Sequence, residues 1–146
     1  MIQGLVVREL PAFSRKAGKG FAVWDGESAP VSPLKAVCHS LYPGEVEAWV
    51  RRDAATERII CLAGMLKLVL CDRREASPSR DEVMELFLGE YRNREVTVPM
   101  GVLRGWKAVG DRPALVLLVL EGEDESGTLL SQDEAGVPYD WEIVMR

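Results

Sequence analysis

The ten residues Thr97-Val98-Pro99-Met100-Gly101-Val102-Leu103-Arg104-Gly105-Trp106 decide the fold. They read as the end of one strand, a Pro-x-Gly turn and the entry into another strand. Proline fixes φ and glycine supplies backbone freedom, so the chain can reverse within a few residues. That is the shape of a β-barrel corner, where the second strand aims one side chain at the barrel mouth. Arg104 takes that place.

Working outward, strand signals lie on both sides of the corner. Residues 94–98 lead into it and 104–109 leave it. A turn at Gly110-Asp111-Arg112-Pro113 follows, then the apolar run 114–120, too short and too β-branched to favour a helix. Upstream, residues 5–10, 21–24, 35–42, 46–50 and 83–88 read as short strands. Residues 58–62 and 65–71 read as a buried hairpin turned by Ala63-Gly64. Residues 14–20 form a basic, glycine-rich loop in this reading, and 25–33, 51–56, 72–81 and 121–136 are further loops. The helical candidate, 79–87, fits a strand edge equally well. Residues 139–145 close the chain with aromatic and apolar side chains. Nine or ten short strands at this spacing predict an all-β sandwich or jelly roll, with residues 1–146 as one domain.

Composition narrows the function classes. The chain has 146 residues, 47% hydrophobic and 28% charged, with a net charge of −5. An acidic balance argues against nucleic-acid binding, which needs a basic face. No apolar run approaches the ~20 residues that span a bilayer, and the first residues lack a signal-peptide pattern. A cytoplasmic protein with no membrane partner is expected. Cys38, Cys61 and Cys71 lie in strand-like runs with no Cys-x-x-Cys spacing, so reduced, buried thiols are expected. His39 is the one histidine, which rules out a histidine-cluster metal site within one chain.

Two spaced motifs carry the resemblance. Gly44 is followed after five residues by Val50-Arg51-Arg52, then by Glu57 after four more and Gly64 after six. Pro99-Met100-Gly101 is followed after two residues by Arg104. This spacing is similar to that of the cupin barrels, whose histidine positions are here Val50, Arg52 and Arg104. Further matches narrow the family. They are Arg8-Glu9-Leu10, Gly20-Phe21, Cys38-His39-Ser40, Asp72-Arg73-Arg74-Glu75-Ala76-Ser77-Pro78, Val98 through Trp106, and Tyr139-Asp140-Trp141. In that order the chain resembles the dTDP-4-dehydrorhamnose 3,5-epimerase family of nucleotide-sugar cupins over nearly its whole length.

The resemblance implies a cupin double-stranded β-helix (jelly roll) and a homodimer, with no cofactor and no metal. It implies proton exchange beside a ketone, which needs a histidine base and a tyrosine acid. The base position is Val50, which cannot accept a proton. The phosphate-holding arginine matches Glu47, the substrate lysine matches Glu57, and no tyrosine stands near Gly122 or Glu123. Glu57 and His39 are the replacement bases that remain. Glu47 is expected to face away from Val50 by strand alternation. Arg52 and Arg104 are expected at the barrel mouth, either binding a phosphate, carboxylate or other anion or pairing with Glu57 or Glu45 and closing the pocket. Trp24, Trp49, Trp106 and Trp141 are core or dimer-interface residues in the simpler reading and stacking platforms in the sharper one; Trp106 joins Arg52, Arg104 and Glu57 as the expected ligand-binding set. Three functions follow. The first is a degenerate epimerase homologue that binds a sugar nucleotide or small anion. The second is an active sugar-nucleotide epimerase or isomerase with a relocated base. The third is a structural or partner-binding cupin.

Overall fold

The structure is a computed structural model that describes residues 1–123 and 127–142. In chain order its strands are β1 (Val6–Glu9), β2 (Ala12–Arg15), β3 (Gly18–Phe21), β4 (Pro33–Leu41), β5 (Val46–Arg51), β6 (Ala55–Ala63), β7 (Met65–Asp72), β8 (Val83–Gly89), β9 (Arg94–Val98), β10 (Val102–Val109), β11 (Ala114–Gly122) and β12 (Thr128–Leu129). One short helix, α1 (Gln132–Ala135), follows. Two five-stranded sheets run β1-β9-β6-β11-β4 and β12-β5-β10-β7-β8, and β2 pairs with β3 alone. Every strand pairing is antiparallel. The all-β jelly roll read from the sequence is the fold observed.

The inner faces of the two sheets enclose one core, which includes Ile59, Leu66, Leu68, Val96, Val116 and Leu118. A second cluster lies on the outer face of the second sheet. There Val69, Cys71, Leu103 and Trp49 are covered by Val137, Tyr139 and Trp141. β7 is therefore covered on both faces, and its sequence is an almost unbroken apolar run instead of an alternating one.

Several local expectations change. The run 58–71 is not a hairpin: β6 lies in one sheet and β7 in the other, so Ala63-Gly64 is a corner between sheets. Gly64 has φ +73°, and a Cβ there would sit 2.3 Å from the Pro113 carbonyl oxygen. The basic stretch 14–20 belongs to the β2–β3 hairpin, and Trp24 lies beyond a strand, with its indole nitrogen 2.5 Å from Glu95. Only the second half of the helical candidate 79–87 is regular, and it is β8. The helix stands instead in the expected loop 121–136. Ser131 and Glu134 form a reciprocal capping box there, and Gly136 ends the helix in the left-handed conformation. β12 lies in the same stretch. Cys38 is exposed, because it occupies the outward side of edge strand β4, while Cys61 and Cys71 are buried. Residues 143–145 of the expected closing stretch, and 124 and 125 of the acidic run, fall outside the described residues.

Candidate functional site

The Pro99-Met100-Gly101 corner holds the site together. The Gly101 amide donates to the Arg52 carbonyl at 2.8 Å, which brings the end of β5 against the start of β10. Arg104 then projects inward from β10, opposite Val50 on one side and Leu70 on the other. Glu57 reaches it from β6. Arg104 donates to both Glu57 oxygens, from Nε at 3.0 and 3.2 Å and from Nη2 at 2.9 Å. Arg52 donates from Nε to the same carboxylate at 3.0 Å. The Arg104 guanidinium also lies 3.8 Å from the centre of the Trp106 ring. Val50, Glu57, Arg104 and Trp106 are all between 1 and 3% exposed.

The four residues expected to bind ligand, Arg52, Arg104, Glu57 and Trp106, thus come together. Of the two arrangements weighed for the arginines, pairing with Glu57 is the one observed, while Glu45 is exposed and takes no part in the triad. Burial by itself raises the Glu57 carboxyl pKa. The charge and hydrogen bonds of Arg104, followed by those of Arg52, outweigh that and hold it below the usual carboxylate range. A carboxylate so engaged is a weak proton acceptor. Two buried donors in this group, Arg104 Nη1 and Trp106 Nε1, have no partner among the described residues.

His39 projects inward from β4, half-buried, with its ring centroid 5.9 Å from that of Trp106. It faces the same space as the triad. Glu47 corrects the expectation from alternation. The β5–β10 register pairs Val50 with Arg104 but Ala48 with Gly105 and Glu47 with Trp106. Trp49 is the extra residue of a bulge, so Glu47 returns to the face that Val50 and Trp106 share. The bulge is fitted by glycine: a Cβ on Gly105 would lie 2.7 Å from both Ala48 Cβ and Trp141 Cζ2. Nothing in the sequence of β5 marks the bulge, so simple alternation placed Glu47 wrongly. Trp49 and Trp141, 5.5 Å apart, pack on the outer face, and Trp24 is bonded to Glu95.

Sequence reading also passed over Lys35. It pairs with Leu120, which pairs with Glu57, so Lys35 lies in the row of the triad. Its i, i+2, i+4 relation to Val37 and His39 was a legible signal once the inward side of β4 was known. Among the described residues no group of three His, Cys, Asp or Glu side chains could hold a metal ion. Among the described residues no helix is long and apolar enough to cross a membrane. Burial pushes the Cys61 thiol up to about 12, which makes it inert at neutral pH.

No protein-family model matches the chain. It is 27% identical over 146 residues to a probable low-salt glycan biosynthesis epimerase of Haloferax volcanii, covering 95% of this chain and 89% of that one. It is equally 27% identical to the spore coat polysaccharide biosynthesis protein SpsL of Bacillus subtilis, covering 99% and 94%. Among solved structures it resembles a dTDP sugar isomerase from Desulfovibrio desulfuricans, with TM-score 0.88, 25% identity, and 96% and 92% of the two chains covered. It shares the fold of dTDP-4-dehydrorhamnose 3,5-epimerase from Elizabethkingia anophelis, with TM-score 0.80 and 14% identity over 98% and 84%. Sequence and fold agree along nearly the whole chain: it is similar in sequence to sugar-biosynthesis proteins, a probable epimerase among them, and it has the cupin fold of the dTDP-4-dehydrorhamnose 3,5-epimerases.

Proposed function

We propose that this protein binds a sugar nucleotide or a related small anion in its barrel and does not carry out the epimerisation that its resemblance implies. The observation that carries the reading is the pair of idle buried donors, Arg104 Nη1 and Trp106 Nε1. A buried N–H without a partner costs about 1–3 kcal/mol. An acceptor oxygen from a ligand removes that cost, and a guanidinium stacked on an indole is a fitting seat for one. Against catalysis of the family type stand Val50, which has no proton-accepting atom, and Glu57, whose carboxylate is held by two arginines. His39, Glu47 and Lys35 are the other titratable groups on the inward faces, and of these His39 is the one whose ring approaches Trp106.

The same reading takes the protein as a homodimer, which sedimentation of the purified chain checks. A closed, structural barrel is the second reading. It is favoured by the burial of the triad and by the capture of both arginines on one carboxylate.

The test is the thermal midpoint of the purified protein with a panel of dTDP-, UDP- and GDP-sugars. A ligand that binds only the native state stabilises it by about 2.7 kcal/mol at a hundredfold excess over its dissociation constant. The expected result is a raised midpoint with one nucleotide class and no deuterium incorporation into the bound sugar from D2O. Deuterium at a sugar carbon contradicts the non-epimerising reading and makes His39 the first residue to replace. A flat panel supports the closed barrel.

A further inference from the structure

β5, the strand that resembles the family's catalytic strand, is here poor in ligand-binding groups on its inward side. On β5 the inward positions are Glu47 and Val50, opposite Trp106 and Arg104. One is an exposed carboxylate, the other an aliphatic side chain. Across the mouth, β4 is the edge of its own sheet, and it pairs only with β11. Its side chains alternate: Ala36, Cys38 and Ser40 are exposed, whereas Val37 and His39 are half-buried and Leu41 is buried. The contact of His39 with Trp106 fixes that second set as the inward one. Lys35 belongs to it by period, and register agrees: Lys35, Leu120 and Glu57 stand side by side on β4, β11 and β6. The Lys35 backbone is two strand spacings, roughly 10 Å, from that of Glu57. Lys35 is exposed, and its side chain forms no hydrogen bond or ion pair with any described residue. The inward faces therefore carry a cation on β4 and a carboxylate on β5.

Resting on the reading that the barrel holds a sugar nucleotide, we infer that phosphate recognition has moved from β5 to β4, with Lys35 taking the phosphate and Glu47 keeping it off the opposite strand. A phosphate beside Glu47 meets like-charge repulsion, whereas one beside Lys35 gains a charge-assisted hydrogen bond. The sugar end then points inward, toward the idle N–H groups of Arg104 and Trp106. The ligand lies across the mouth in the sense opposite to one anchored on β5.

The test titrates dTDP, UDP and GDP calorimetrically into the wild type and four variants. Lys35 and Glu47 are exposed, so their substitution leaves the core intact. Lys35→Ala is expected to weaken the nucleotide that binds by about tenfold or more, the loss of one charge-assisted hydrogen bond. Glu47→Gln is expected to tighten it several-fold. The double exchange Lys35→Glu with Glu47→Lys keeps the net charge and reverses the two sides; loss of affinity is expected. Affinity unchanged by Lys35→Ala, or retained by the double exchange, overturns the inference. Trp106→Phe separates the two levels: binding that weakens with Trp106→Phe but not with Lys35→Ala sinks the inference and leaves the barrel reading standing. Absence of binding to the wild type by all three nucleotides removes both.

Discussion

Two carboxylates in this protein are buried in nearly the same company and do different work. Glu95, on the outer face of the first sheet, is surrounded by Arg8, Arg58 and Trp24; Glu57, inside the barrel, by Arg104, Arg52 and Trp106. Around Glu95 the polar groups close on one another. Arg8 donates to Glu95 at 3.1 Å and to the Val23 carbonyl at 2.6 Å. Arg58 reaches Glu121 and the Ser28 carbonyl. The Trp24 N–H meets Glu95 itself. That network ties the loop before β4 to the sheet, and none of its buried donors is among the unpartnered ones of the described residues. Around Glu57 the tryptophan turns its face to the arginine, and two N–H groups stay idle. A fully satisfied buried polar network rigidifies a fold, whereas a partly satisfied one carries the cost of its unpaired groups; the proposed ligand would remove that cost.

The largest effects should come from removing either carboxylate. Breaking a buried ion pair typically costs about 3–5 kcal/mol, so Glu95→Ala and Glu57→Ala should both lower the denaturant midpoint substantially. The comparison sharpens on adding inorganic phosphate. It should restore part of the stability of Glu57→Ala, whose arginines face the barrel, and none of Glu95→Ala. Equal rescue of both variants would erase the distinction.

Next comes acid. The Glu57 pKa is lowered, and so is that of buried Asp72. For Asp72 the main cause is its hydrogen bonds from Arg74, which outweigh burial, with Ser77 and Ser79 adding to them. A carboxyl held below its unfolded value (about 3.9 for Asp, 4.3 for Glu) stabilises the fold above that value. The contribution is lost as pH falls through the folded pKa. Unfolding free energy should thus hold steady down to about pH 5 and fall steeply below it. Asp72→Asn should be less stable at pH 7 and show a shallower acid decline. A decline as steep as the wild type's would mean that Asp72 does not carry this pH dependence.

Smaller effects follow from the tryptophans. Trp24→Phe removes a hydrogen bond to a charged group and should cost about 1.5–3 kcal/mol, measured by urea unfolding. Trp106→Phe removes an N–H that bonds to none of the described residues and should cost clearly less. The smallest effect expected is that of Val50→His on catalysis. A histidine there lacks the tyrosine acid and the phosphate arginine that the resemblance implies, and no deuterium exchange into a dTDP-4-keto sugar should appear. Exchange restored by that single change would show the rest of the machinery to be present.

Much of this was legible in the sequence. The β9–β10 corner and the inward place of Arg104 follow from Pro99, Gly101 and the spacing of two motifs, while pairing of Arg104 and Arg52 with Glu57 was one of the alternatives the sequence left open. What escaped reading depended on neighbours distant in sequence. Ala63-Gly64 turns like a hairpin, and only the destination of β7 in the other sheet makes it a corner. The side of Glu47 hung on the bulge at Trp49, which exists because Gly105 leaves room for it and the outer cluster holds the indole. The capping box before α1, by contrast, stood in plain view as Ser131-x-x-Glu134, and the acidic composition around it obscured it.

The most direct test of the account compares sugar-nucleotide affinity and unfolding free energy in Trp106→Phe and Trp24→Phe. The account predicts that Trp106→Phe weakens binding with little change in stability, and that Trp24→Phe lowers stability with little change in binding. Binding unaffected by Trp106→Phe, or lost equally in both variants, would contradict the claim that the idle donors inside the barrel are there for a ligand.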